Sequence, residues 1–121
     1  MATTTYEAGQ SDIRPWGRWR VIEAQDAYVL KRIDVDPGQR LSLQYHRHRS
    51  EHWIVVSGSG LATVGDETWR VKAGDHVYID SGTIHRVESD PNGALTFIEV
   101  QSGDLLDEDD IVRIEDDYSR S

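Results

Sequence analysis

The sequence predicts an all-β fold: one closed barrel or sandwich of about nine short strands. Three observations carry that expectation. Apolar and polar residues alternate with period 2 in run after run, turn clusters recur at roughly 6–12-residue spacing, and no long stretch has a helical period.

The first clear run is Tyr28–Val35, β-rich and closed by Asp36-Pro37-Gly38. Residues 41–46 read as a strand, and residues 51–57 (EHWIVVS) as another that stops at Gly58-Ser59-Gly60. Residues 61–64 and 67–71 flank Gly65-Asp66, a hairpin turn signal. Ala73-Gly74-Asp75 leads into His76–Ile79, and Ser81-Gly82 turns the chain again. Residues 85–88 end at Asp90-Pro91-Asn92-Gly93, and residues 95–101 complete the series. One short helix is expected over residues 107–115: Asp107 can cap it, acids fill its first turn, and Ile111 and Ile114 share a face.

At 121 residues the chain has room for one ordinary domain, large enough to bury a core without staples. It has no cysteine, which excludes disulfides, thiolate nucleophiles and Cys-ligated zinc, and is compatible with a reducing compartment. No apolar run approaches the roughly 20 residues that span a bilayer. The first twelve residues, MATTTYEAGQSD, lack the basic and apolar regions of a secretory signal. They read as a loosely ordered lead-in over residues 1–12, before a domain over residues 13–121. The expected location is the cytoplasm, without a membrane partner.

Charge is unevenly distributed. Residues 104–117 hold eight acids against one base, Arg113, and so carry −7 of the net −9. Residues 31–49 hold five bases (Lys31, Arg32, Arg40, Arg47, Arg49) and two acids. So acidic a chain is a poor nucleic-acid binder. The local basic cluster reads either as a site for a small anion or as a solvated surface.

The chemistry concentrates in His46-Arg47-His48-Arg49-Ser50-Glu51-His52, with His85 about forty residues on. Imidazoles with a carboxylate suit Zn, Mn, Fe, Co or Ni. On a strand, Gln44 and His46 share a face, because residues i and i+2 do. Glu51 then lies on the next element, past the turn at residues 47–50. On the inner face of a barrel such polar groups need partners, and a metal ion satisfies them together.

The spacing resembles the cupin superfamily. Its first motif, Gly-x5-His-x-His-x3–4-Glu-x6-Gly, is met by Gly38, Gln44, His46, Glu51 and Gly58, with Gln44 at the first histidine. Its second, Gly-x5-Pro-x-Gly-x2-His, is met by Gly74, Asp80, Gly82 and His85, with Asp80 in place of proline. The resemblance implies a cupin barrel that holds one divalent transition metal ion on Gln44, His46, Glu51 and His85.

A narrower resemblance is carried by Arg14-Pro15-Trp16-Gly17, Gln44-x-His46-x4-Glu51-His52-Trp53, Ile98-Glu99-x-Gln101-x-Gly103 and Glu108-Asp109-Asp110-Ile111-x-Arg113. These segments look like the type II phosphomannose isomerase domain, the C-terminal part of a bifunctional enzyme whose other part is a mannose-1-phosphate guanylyltransferase. Glutamine is expected at Gln44 in that family; Ser119 departs from its Asp-Tyr-Gly-Arg ending. No Gly-rich nucleotide loop is present, so GMP transfer is not expected of this free-standing domain.

What the resemblance implies is a metal-dependent interconversion of mannose 6-phosphate and fructose 6-phosphate. A metal polarises the carbonyl and a base moves the proton. Glu99 is the candidate base or a polar wall residue, since Phe97, Glu99 and Gln101 share one strand face; otherwise it points outward. His48 is either a proton carrier or an exposed loop histidine. Lys31, Arg40 and Arg49 are the candidates for the phosphate. The four tryptophans read as core or as sugar-stacking platforms. The rival readings are a sugar-phosphate-binding module without turnover and a metal-dependent dioxygenase. A homodimer is expected, through the segment around residues 14–19 or the acidic tail.

Overall fold

The computed structural model describes residues 2–118. The strands are β1 (Thr3–Thr4), β2 (Ser11–Arg14), β3 (Gly17–Ala24), β4 (Tyr28–Val35), β5 (Leu43–Tyr45), β6 (Arg49–Ser57), β7 (Ser59–Val64), β8 (Glu67–Lys72), β9 (His76–Ile79), β10 (His85–Ser89), β11 (Leu95–Gly103), β12 (Leu105–Leu106) and β13 (Val112–Glu115). They form a six-stranded sheet, β2-β3-β4-β11-β6-β9, a five-stranded sheet, β13-β5-β10-β7-β8, and the short pair β1-β12. The inner faces share one core that includes Val35, Trp53, Val55, Leu95 and Phe97 from the first sheet and Ala62, Val71 and Val87 from the second.

Alternation does more than separate inside from outside. Along β4 the inward residues are Val29, Lys31, Ile33 and Val35; along β6 they are Arg49, Glu51, Trp53 and Val55; along β11 they are Phe97, Glu99 and Gln101. Register gathers the polar positions toward one end. Phe97 lies across from Ile33 and Val55, Glu99 from Lys31 and Trp53, and Gln101 from Val29 and Glu51. One end of the barrel is therefore a dry core and the other an ionisable interior, which is expensive unless every polar group finds a partner.

Glycines end these strands where side chains cannot. Gly58 has φ +82°, and a Cβ there would meet the Ala94 carbonyl oxygen at 2.1 Å.

Two expectations are corrected. The described residues contain no helix, so none is long and apolar enough to cross a membrane. The helix expected over residues 107–115 is a turn followed by a strand. Asp107 does act locally, its carboxylate accepting from the Asp109 amide, but β-branched Ile111, Val112 and Ile114 feed β13, which pairs with β5. Cross-strand pairing thus overrides the capping signal.

The segment over residues 1–12, expected to be loose, is tied down as far as it is described. β1 runs parallel to β12, β2 pairs with β3, and Tyr6 is 4% exposed. Ser119, which departs from the family ending, lies outside the described residues.

Candidate functional site

His46, Glu51 and His85 converge at the polar end, each offering one ligand atom within 4.8 Å of the others. His46 follows β5, Glu51 is on β6 and His85 opens β10, directly across from Gln44 in β5. All four are buried.

Hydrogen bonds set the imidazole tautomers. His46 Nδ1 lies 2.6 Å from the Asp110 carbonyl oxygen, and His85 Nδ1 lies 2.9 Å from that of Thr83. A carbonyl only accepts, so each Nδ1 carries the hydrogen and each Nε2 presents a lone pair. His46 Nε2 is 3.1 Å from Glu51 Oε2, and His85 Nε2 is 3.7 Å from Glu51 Oε1. His85 Nε2 has no hydrogen-bond partner. Lone pairs facing a buried carboxylate repel unless a cation lies among them. The set, two neutral imidazoles and a carboxylate, therefore fits a divalent transition metal. Gln44 can complete it: its Oε1 accepts a 2.7 Å bond from the Ser42 hydroxyl and retains a second lone pair.

The electrostatics agree. Burial alone would protonate Glu51, but the positive charge around it, of which the Arg49 guanidinium is the permanent part, outweighs burial and holds the carboxyl well below its ordinary range. Burial lowers His85, against the pull of Glu51, and favours its neutral, ligating form. Arg49 donates from Nε to Glu51 Oε2 at 3.0 Å and approaches His46 Nε2 at 3.3 Å through Nη2. Burial opposes its charge, yet Glu51 keeps it firmly protonated.

Glu99 stands beside this group. Oε1 accepts from Trp53 Nε1 at 3.2 Å and Oε2 from Gln101 Nε2 at 2.8 Å, while Trp53 Nε1 also reaches Glu51 Oε1 at 3.0 Å. Burial first, then the charge of Glu51, pushes the Glu99 carboxyl up to about 8.

These groups wall a cavity of about 50 Å³ shared by Lys31, Gln44, His46, Arg49, Glu51 and Glu99. Of the expected phosphate ligands, Lys31 and Arg49 face it. Arg40 does not: its guanidinium binds Asp117 at 2.6 and 2.9 Å and Glu88 at 3.7 Å, away from the cavity. His48 is also outside. It sits on the exposed turn, 3.4 Å from Asp104, because the turn between β5 and β6 breaks the alternation that would have pointed it inward. His52 faces outward, 3.0 Å from His76. Trp16, Trp19 and Trp53 are core residues, and Trp69 is 38% exposed.

Sequence reasoning missed Tyr6, Arg14, Glu108 and Arg113. Arg14, Glu108 and Arg113 line the cavity, and Tyr6 bonds both Lys31 and Glu108. The missed signal was Lys31 itself: a lysine at an inward position of an alternating strand requires a buried acid from elsewhere in the chain.

The family described as mannose-6-phosphate isomerase C-terminal matches residues 2–116. The chain belongs to that family. Within the mannose-6-phosphate isomerase C-terminal family, it is similar to the xanthan biosynthesis protein XanB of Xanthomonas campestris pv. campestris (strain B100). The two are 49% identical over 108 residues, 89% of this chain and 23% of XanB. It is also 45% identical over 107 residues to the mannose-1-phosphate guanylyltransferase ManC of Salmonella typhimurium, 88% of this chain and 22% of ManC. The chain thus spans under a quarter of the length of these relatives. Among solved structures, a cupin-2 domain protein from Rhodospirillum rubrum superposes with a TM-score of 0.67 at 25% identity, covering 77% of this chain and 67% of that one. The barrel is a cupin fold.

Proposed function

We infer that this domain is a metal-dependent aldose–ketose isomerase acting on mannose 6-phosphate and fructose 6-phosphate. Gln44, His46, Glu51 and His85 would hold one divalent ion, drawn from Zn, Mn, Fe, Co or Ni. Bound there, such an ion supplies Lewis acidity toward a carbonyl oxygen and the negative charge that develops on it. Glu99 moves the carbon-bound proton. As carboxylate it takes the proton from C2 of the open-chain aldose, and the freed electron pair forms the C1–C2 double bond of a cis-enediol as O1 gains a proton. O2 then loses its proton, the C2 carbonyl forms, and Glu99 returns its proton to C1.

The observation that carries this reading is Glu99 itself: a buried carboxyl in the cavity wall, bonded to the same indole as Glu51. A carboxyl near 8 exchanges protons readily close to neutral pH. Because the charge of Glu51 is part of what raises it, Glu51 engaged as a ligand leaves Glu99 readier to act as base.

The second reading is a sugar-phosphate-binding module without turnover. The cavity, at about 50 Å³, is far below the roughly 300–1,000 Å³ of small-molecule sites, so both readings require it to open. The test is a coupled assay for fructose 6-phosphate on metal-loaded protein, beside an oxygen electrode. Isomerisation that disappears in Glu51→Gln supports the proposal. Sugar-phosphate binding without turnover moves the assignment to the binding module, and oxygen consumption to a dioxygenase.

A further inference from the structure

The polar end of the barrel contains a second constellation that the metal-binding set does not use. Lys31 is buried at 3% exposure, with its Nζ 4.4 Å from the centre of the Tyr6 ring and 4.3 Å from that of Trp19. Its ammonium donates to the Tyr6 hydroxyl at 3.0 Å and to Glu108 Oε2 at 2.9 Å. The Tyr6 hydroxyl donates a short bond to the same Glu108 oxygen, and Arg14 Nη2 lies 3.6 Å from Oε1. An ammonium, a guanidinium and a phenol thus converge on one carboxylate. Burial keeps Tyr6 a neutral donor.

The carboxylate is the least embedded member. The Glu108 side chain is 34% exposed against 4% for Lys31. Glu108 belongs to residues 107–111, a strap between β12 and β13 that lines the cavity through Glu108 and Ile111 and is tied by polar contacts. His46 Nδ1 donates to the Asp110 carbonyl, Arg49 Nη1 donates to that of Asp107 at 3.2 Å, and the Asp110 carboxylate accepts from the Arg47 and His48 amides at 3.0 and 2.9 Å. With the strap down, the cavity is too small for a sugar phosphate.

We propose that the cradle of Lys31, Arg14 and Tyr6 is the subsite for the phosphate of a phosphate monoester, that Glu108 fills it in the closed form, and that the ligand opens the strap by taking the carboxylate's place. The inference rests on the sugar-phosphate reading above and locates the phosphate within it. A phosphate monoester carries about −1.5 to −2 charges and three acceptor oxygens, against one charge and two oxygens for the carboxylate, so it satisfies the three donors more fully. Glu108 in turn keeps the lysine paired when no ligand is present, where an unpartnered buried ammonium would be costly.

The test is calorimetric titration of the full chain with inorganic phosphate, at equal metal content in every variant. Glu108→Gln removes the competing charge. It is expected to tighten phosphate binding about tenfold, the factor for a closed form held by roughly nine molecules in ten. Lys31→Met is expected to abolish binding, and Arg70→Gln, on the Asp90 pair outside the cavity, to leave it unchanged. Should Glu108→Gln not fold, hydrogen exchange on the wild type decides: phosphate is expected to speed exchange at the Arg47 and His48 amides as Asp110 lifts away. A folded Glu108→Gln that binds phosphate no more tightly, or exchange at those amides that phosphate leaves unchanged or slows, overturns the proposal. The two readings fail separately. Mannose 6-phosphate turnover with no phosphate effect of Glu108→Gln removes the subsite alone. Tightened phosphate binding without turnover removes the isomerase alone.

Discussion

His46 shows how much one side chain depends on its surroundings. Its Nδ1 is committed to the Asp110 carbonyl, which leaves Nε2 aimed at Glu51 with a lone pair. Elemental analysis of the purified protein is expected to find about one transition metal per chain, and most of it gone in His46→Ala. Equal metal in both proteins would remove these ligands. The grouping of these side chains was readable from sequence because it obeys spacing: period 2 puts Gln44 with His46, and the second motif supplies His85. Arg40 misses the cavity, and His48 takes the exposed-loop alternative, because each lies off the regular part of a strand, where alternation says nothing about direction. Glu108 looked like one more acid in a solvated run. Only the inward position of Lys31 hinted that one of those acids had to come inside.

Glycine breaks let β6 turn sharply into β7, and Gly58 has both a left-handed φ and a carbonyl where a Cβ would stand. Gly58→Ala is expected to destabilise the fold by about 1–3 kcal/mol or more, read as a fall in the urea midpoint. A variant as stable as wild type would show that the turn relaxes freely. The strap over residues 107–111 has its own pH dependence. Burial works against ionised Glu108, but Lys31 and the Tyr6 hydrogen bond hold its carboxyl below the ordinary range. A depressed carboxyl stabilises the fold above its unfolded value, and that contribution is lost as pH falls through the folded value. Strap closure should therefore persist at neutral pH and weaken below the usual carboxylate range. Hydrogen exchange at the Arg47 and His48 amides is expected to accelerate, beyond the intrinsic rate, on acidification; protection that holds steady across that window would contradict it.

At the scale of the whole molecule, the β-barrel was readable because its strands alternate so regularly, and one face of the sequence pattern became one face of each sheet. The two ends of the chain were not readable, because their structure comes from pairing with distant strands: β1 with β12, and β13 with β5. The acidic tail, one of the two segments expected to pack on a partner copy, forms ion pairs within the chain, Glu108 with Lys31 and Asp117 with Arg40. Exposed apolar residues remain on the six-stranded sheet, with Ile13 at 84% on edge strand β2 and Ile54, Val56 and Tyr78 at 42–50% on β6 and β9. A homodimer through this sheet is expected, and light scattering should report about twice the 13.8 kDa chain mass. A mass of one chain at high concentration would exclude it.

In the isomerase reading, a metal-binding cupin cavity uses Glu99 to move a proton between two carbons of a sugar phosphate. Turnover of mannose 6-phosphate to fructose 6-phosphate by wild type and Glu99→Gln, with metal content measured in the same samples, tests it most directly. The expected result is turnover by the wild type and a kcat lower by roughly 10²–10⁴-fold in Glu99→Gln, with metal retained in both. Equal turnover in the two proteins, or none from metal-loaded wild type, would contradict it.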